Sequence, residues 1–231
     1  MDQPDLVKDY LTKIGTSSQH LLSLINDVLD MSRIESGVVK IEEKEVCIPD
    51  ILHDLKTIIQ GNIQAKQQDL YIDTQDVVHE NVITDRLRLN QILLNIVSNA
   101  IKFTPVGGLV NIRVSEKPCN RKGFTAFEFR IRDNGIGMSE EEVELLLTDN
   151  NRVPKHGSGV GLINIHNRLQ ILFGKEYGLV IESEPDEGTK VSIQIPAILY
   201  TEENRKILEK GYLFSKEEME KREVQGESNE K

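Results

Sequence analysis

The sequence predicts an α/β chain: one long N-terminal helix, then a domain in which amphipathic helices interleave with short strands. Three observations carry this. Residues 4–35 repeat with period seven, Val7, Ile14, Leu21 and Val28 in one row and Tyr10, Ser17, Leu24 and Met31 in another. Leu11, Ser18 and Ile25 widen that seam, which suits a coiled coil or four-helix bundle in preference to a helix packed on its own domain. Residues 89–105 place Ile92, Leu93, Ile96, Val97, Ala100 and Ile101 at helical spacing. Val110, Ile112 and Val114, and then Phe127, Phe129 and Ile131, alternate as half-buried strands do.

The remaining elements follow from local signals. Gly37 is placed to cap the first helix. Residues 38–46 alternate weakly, as a strand. Pro49 opens a helix whose buried face is expected to hold Ile51, Leu52, Leu55, Ile58 and Ile59. Short strands are expected at 70–72 and 82–83, and Thr84-Asp85 supplies an N-cap for the helix that ends at Pro105. Residues 117–123 read as a polar hairpin loop. Ser139 caps a short acidic helix to Leu147, and residues 148–156 are a polar loop. A second helix follows Gly161, with Leu162, Ile165, Leu169 and Leu172 inward and Gly174 at its end. Residues 179–182 and 190–195 pair as a hairpin across Pro185-Asp186-Glu187-Gly188. Residues 203–210 suit a short helix, and the Glu- and Lys-rich end from 217 reads as disordered.

Composition bounds the function. The 231 residues are 38% hydrophobic and 29% charged, ordinary for a soluble globular protein. A net charge of -10 argues against a nucleic-acid backbone as partner. Cys47 and Cys119 form no paired motif and suit reduced, cytosolic thiols. No apolar run is long enough to span a membrane, and no signal peptide is visible.

The chemistry concentrates on one helix and two glycine clusters. On the central helix Arg88, Gln91, Asn95, Asn99 and Lys102 form a polar stripe. Asparagine is a mediocre helix former, so two of them one turn apart in mid-helix point to a role beyond helix formation. An amide oxygen is a neutral hard ligand suited to Mg2+, and Lys102 is placed to meet a phosphate. The same residues also suit a solvated helix face. Asp133-Asn134-Gly135-Ile136-Gly137-Met138 follows a strand, and Gly157-Ser158-Gly159-Val160-Gly161-Leu162 opens a helix. A carboxylate at a strand end can accept from the exocyclic amine of adenine, or simply close an Asx turn. Gly135 and Gly137 let backbone approach a flat base. Gly157, Gly159 and Gly161 expose amides at a helix start, an anion site. A Rossmann reading fails, because no G-x-G-x-x-G is present.

In this order and spacing the three elements resemble the N, G1 and G2 boxes of the GHKL ATPases, and Asn-x-x-x-Asn-Ala-x-Lys-Phe-Thr resembles a sensor histidine kinase. The resemblance spans about residues 4–200. Up to Met138 it is to hybrid sensor kinases, and beyond it to kinases with a short lid. It implies a two-layer sandwich with a mixed sheet packed on helices, preceded by a long dimerisation helix. It implies three regions: 1–36, the second helix of a dimerisation and phosphotransfer hairpin; 37–200, the ATP-binding catalytic domain; and 201–231, a charged tail. Asp133 becomes the principal adenine-reading residue and Gly188-Thr189 a pair near adenine. Asn99 becomes the Mg2+ ligand and Asn95 the residue that orients the reaction. Lys102 neutralises phosphate charge, Gly157, Gly159 and Gly161 cradle phosphate, and Leu162 belongs to the same nucleotide-binding set. Residues 148–156 become the lid over ATP, with Arg152 or Lys155 available to phosphate. Asn in place of a catalytic Glu at 95 implies slow free ATP hydrolysis.

The implied partners are ATP, a phospho-acceptor helix and a response regulator, with homodimerisation through residues 4–35 and neither nucleic-acid nor membrane contact. No histidine here is followed by an acidic residue and Pro; His20, His53, His79, His156 and His166 read as non-catalytic, so either the acceptor helix lies outside this chain or the protein has none. The implied location is cytoplasmic, either free or as the cytoplasmic part of a membrane sensor. Two alternatives are a nucleotide-binding dimerisation module without catalysis and a serine-directed GHKL kinase.

Overall fold

The computed structural model describes residues 7, 10, 11, 14, 15, 18, 42–119, 123–148 and 160–209. The chain divides into two units, Met1–Lys40 and Ile41–Lys231. In the first, the described residues are helical, and Val7, Tyr10, Leu11 and Ile14 are all exposed. Most of the helix predicted over 4–35 lies outside the described residues.

The second unit is one mixed sheet with helices packed on it. Its strands are β1 (Lys44–Cys47), β2 (Asp69–Asp76), β3 (Asn81–Thr84), β4 (Leu109–Lys117), β5 (Phe124–Asp133), β6 (Leu179–Glu184) and β7 (Gly188–Leu199). Its helices are α1 (Ile48–Ala65), α2 (Arg86–Phe103), α3 (Glu140–Thr148), α4 (Val160–Phe173) and α5 (Glu202–Glu209). The strand order is β1-β3-β7-β5-β4-β2, with β6 also paired to β7. The β2–β4 pair is parallel and the others are antiparallel.

Period-two alternation decides which sheet face meets the helices. Val110, Ile112 and Val114 on β4, Phe127, Phe129 and Ile131 on β5, and Val191, Ile193 and Ile195 on β7 are buried in one core with α1, α2 and α4. Arg113, Arg130, Glu128 and Lys190 point the other way and form ion pairs on the open face. Continuing the β5 alternation by one step puts Asp133 on the helix side, 7% exposed. Fold topology therefore carries a carboxylate into the core's rim.

Several expectations shift. In α1 the buried residues are Ile48, Ile51, Leu52, Leu55, Ile59 and Ile63, while Ile58 is 60% exposed. The stripe of a helix on a sheet is narrow, and Ile58 falls one step outside it. The strand expected over 38–46 is, among the described residues, Lys44–Cys47, where pairing with β3 begins. The strand expected at 70–72 extends to Asp69–Asp76, because parallel pairing with β4 gives its polar residues ladder bonds that no alternation announces. Beyond β7, α5 lays Ile207 and Leu208 on Ile83 and Ile198. Ser139 caps α3 reciprocally: its hydroxyl accepts the Glu142 N–H at 3.3 Å, and the Glu142 carboxylate accepts the Ser139 N–H at 2.9 Å. Among the described residues no helix is long and apolar enough to cross a membrane.

The β2–β3 connection is tied down by one carboxylate. Glu116 on β4 accepts the N–H groups of Val78 (2.9 Å) and His79 (2.8 Å), the His79 ring nitrogen (2.6 Å) and the Thr125 hydroxyl (2.6 Å). Burial pushes this carboxyl up, but the hydrogen bonds from Thr125, His79 and Val78 outweigh it and hold it at about 2. A depressed carboxylate stabilises the fold above its ordinary range, and the contribution disappears as pH falls from about 4.5 toward 2. Glu116→Ala is expected to cost about 1–3 kcal/mol in urea denaturation at neutral pH, and much less at the acid end of that window. An equal loss at both ends would contradict this account.

Candidate functional site

Helix α2 is fixed at both ends. At its start Asp85 accepts the Arg88 N–H on one carboxylate oxygen (3.0 Å) and the Glu42 N–H on the other (3.1 Å). At its end the Lys66 ammonium donates to the carbonyls of Ile101 (2.9 Å), Lys102 (2.7 Å) and Thr104 (3.0 Å). The Gln68 amide donates to Ile101 (3.1 Å), Thr104 (2.8 Å) and Pro105 (3.2 Å). A cation and an amide on the last carbonyls neutralise the negative end of the helix and hold its final turn, which carries Lys102. Lys66 and Gln68 were missed by sequence reading, since they lie more than thirty residues upstream of the carbonyls they bind.

The inner stripe of α2 is buried as its spacing predicts, from Leu89 to Ile101. Asn95 and Asn99 are half-buried on the flank, and Lys102 is exposed, its Nζ 5.1 Å from the Phe103 ring centroid. Gly161, in the first turn of α4, faces that flank: a Cβ there would sit 3.9 Å from the Asn99 side-chain nitrogen. Leu162 is buried in the core. The second glycine cluster thus meets the asparagine helix at Gly161; Gly157 and Gly159, and Arg152 and Lys155 of the expected lid, lie outside the described residues.

The loop 134–138 is locked between α2 and the β6–β7 hairpin. The Gly135 N–H donates to the Asp133 carboxylate at 2.8 Å, and the Ile136 N–H reaches the Phe103 carbonyl at 3.4 Å. The Asp186 N–H donates to the Ile136 carbonyl at 2.7 Å. The Met138 N–H donates to the Ser183 hydroxyl at 2.8 Å. Gly137 has φ +64°, and a Cβ there would overlap the Glu184 carbonyl. Gly188 has φ +112°, and a Cβ there would overlap the Asp133 carbonyl. Only glycine tolerates this conformation and this closeness together.

Asp133, Thr189 and Ser183 form a row across β5, β7 and β6: Asp133 pairs with Thr189, and Thr189 with Ser183. Burial raises the Asp133 carboxyl above its ordinary value, opposed by the N–H groups of Gly135 and Thr189. A buried, hydrogen-bond-accepting carboxylate beside a glycine loop that leaves no room for side chains matches a flat heterocycle with an amino edge. Ser183, too, was missed, although a signal existed. It follows Leu179 and Ile181 at every second position, so a hydroxyl stands where alternation demands an apolar residue.

A mixed sheet with α1, α2 and α4 packed on one face, and this carboxylate and glycine loop against the asparagine helix, define a nucleotide-binding domain of the GHKL ATPase fold. Residues 84–198 match the family described as histidine kinase-, DNA gyrase B-, and HSP90-like ATPase, and the chain belongs to that family as a histidine-kinase ATPase domain.

Similar curated proteins include the sensor histidine kinase GacS of Pseudomonas protegens, 36% identical over 197 residues (81% of this chain and 21% of that protein). The sensor protein GacS of Pseudomonas syringae pv. syringae is 37% identical over 201 residues (81% and 21%). The chain spans about a fifth of the length of these relatives. A solved structure of full-length ShkA in complex with AMPPNP superposes with TM-score 0.66 at 23% identity, covering 84% of this chain and 39% of that one. Histidine kinase ThkA in complex with response regulator protein TrrA gives 0.61 at 19% identity, covering 85% and 53%. Both likenesses concern the fold.

Proposed function

We propose that this chain binds Mg-ATP and presents its γ-phosphoryl group to a histidine on another segment or another chain, for relay to a response regulator. The observation that carries this is the buried Asp133, placed by strand alternation beside a loop and hairpin that glycine alone allows to close. Asp133 and Thr189 hold the adenine edge. Asn99 offers its amide oxygen to Mg2+, Asn95 orients the reacting group one turn away, and Lys102 offsets phosphate charge. Gly157, Gly159 and Gly161 supply amides to phosphate. Among the described residues no cluster of three or more His, Cys, Asp or Glu suits a metal ion. The Asn99 amide oxygen is a hard neutral donor of the kind that would suit Mg2+. When bound, Mg2+ would supply charge neutralisation. The residues supply position, and neither asparagine is a base able to activate water.

The exposed Val7, Tyr10, Leu11 and Ile14 of the N-terminal helix support dimerisation through residues 4–35. The phosphorelay reading carries with it a cytoplasmic placement, where ATP is supplied.

The test is transfer of label from γ-labelled ATP to a separately supplied, histidine-bearing dimerisation hairpin of a family member. Acid-labile label on the hairpin is expected. Tight ATP binding with no transfer to any hairpin would leave a binding module only. Asn99→Ala is expected to bind ATP equally with and without Mg2+, by calorimetry; a retained Mg2+ effect would move the ligand elsewhere.

A further inference from the structure

Ser183 makes three polar contacts, and a single assignment of donors satisfies all three at once. The Met138 N–H is 2.8 Å from its hydroxyl oxygen, the Gly188 carbonyl oxygen is 3.0 Å away, and the Thr189 hydroxyl oxygen is 2.8 Å away. A serine hydroxyl has one proton and two lone pairs. An N–H can only donate, so Met138 occupies one lone pair. A carbonyl can only accept, so Gly188 takes the proton. The contact with Thr189 is then a hydrogen bond only if Thr189 donates into the second lone pair. All three capacities of Ser183 are filled, and the single proton of Thr189 is consumed.

Thr189 therefore offers a ligand only lone pairs. It stands directly across from Asp133 in the β5–β7 register, and its own N–H donates to the Asp133 carboxylate. We infer that Ser183 is a positioning residue that turns the Thr189 hydroxyl into a pure acceptor, so that this rim accepts an amino-bearing purine and rejects a keto-bearing one. The inference rests on the assignment of Asp133 and Thr189 to the base-reading site. A 6-amino group, directly or through a bridging water, donates to such a rim. A 6-keto oxygen meets acceptors alone and is repelled. Asp133 supplies the charge, and Ser183 removes the one donor that could have compensated.

The experiment is calorimetric titration of the whole chain with Mg-AMPPNP and with the 6-keto analogue Mg-ITP, on wild type, Ser183→Ala and Ser183→Thr. Ser183→Ala frees the Thr189 proton to rotate toward the ligand. It is expected to weaken AMPPNP, leave ITP unchanged or improved, and compress the ratio of the two affinities by about three- to tenfold, the range of one neutral hydrogen bond. Ser183→Thr keeps the hydroxyl and is expected to keep the wild-type ratio. A merely structural role for Ser183 would weaken both nucleotides alike, and an unchanged ratio in Ser183→Ala overturns the inference. If Ser183→Ala does not fold, Ser183→Cys, a much weaker donor and acceptor, decides by the same ratio. Failure of wild type to bind either nucleotide would instead overturn the base-reading site, and the inference with it.

Discussion

Gly137→Ala is expected to lower the melting temperature by about 6–16 °C and to abolish nucleotide binding. At φ +64° an alanine carries a left-handed penalty of about 1–2 kcal/mol. The larger effect is steric. The new Cβ would overlap the Glu184 backbone carbonyl, which cannot rotate away as a side chain could. The hairpin must retreat, and with it go the bonds from Met138 to Ser183 and from Asp186 to Ile136, each worth about 0.5–1.5 kcal/mol. A total of about 3–4 kcal/mol corresponds to the stated shift for a domain of this size. Gly61→Ala is the control: Gly61 lies within α1 with nothing within 4 Å of its absent Cβ, so the exchange should stabilise by up to about 1 kcal/mol. Thermal melts followed by circular dichroism decide, and similar melting temperatures for the two variants would contradict the packing described.

Asp133→Asn is expected to separate binding from stability. Loss of a charged acceptor removes about 1.5–3 kcal/mol of binding, so affinity for an ATP analogue should fall about 10- to 150-fold. The fold should be unharmed or slightly stabilised. The amide oxygen of asparagine still accepts the Gly135 N–H, and the burial that raises the Asp133 carboxyl no longer has a charge to oppose. For a carboxyl raised in the folded state the sign is fixed: the folded chain loses stability as pH climbs from the ordinary value through the raised one. The stability of wild type relative to Asp133→Asn should therefore fall in urea titrations as pH climbs above the ordinary carboxylate value of 3.8. If wild type gains on the variant as pH rises, the carboxylate is stabilising and the account of its burial is wrong. A site residue that costs stability when unliganded is what a group kept for binding should look like.

Much of this protein is legible from local pattern. Helical spacing from Leu89 to Ile101 and alternation on β4, β5 and β7 are consequences of 3.6- and 2-residue geometry, so they are written along the chain. Asp85 and Ser139 announce helix starts because a cap acts within three residues. Asp133 with its glycines is legible for the same reason: turn and carboxylate are neighbours in sequence.

Other features were decided by tertiary structure alone. Ile58 is apolar and near the right spacing, yet faces outward, because only packing of α1 on the sheet sets where the buried stripe ends. Parallel pairing of β2 with β4 follows from the crossover, not from residues in β2. Lys66 and Gln68 hold the end of α2 across more than thirty residues, and Ser183 reaches Met138 across forty-five. Asn99 and Gly161 come together from separate helices. The physical reason is common to all of these. Periodicity records which face of an element is buried, whereas a hydrogen bond or close approach between distant residues depends on where the chain returns. That is settled by strand order and register, and with them the polarity of the rim around Asp133.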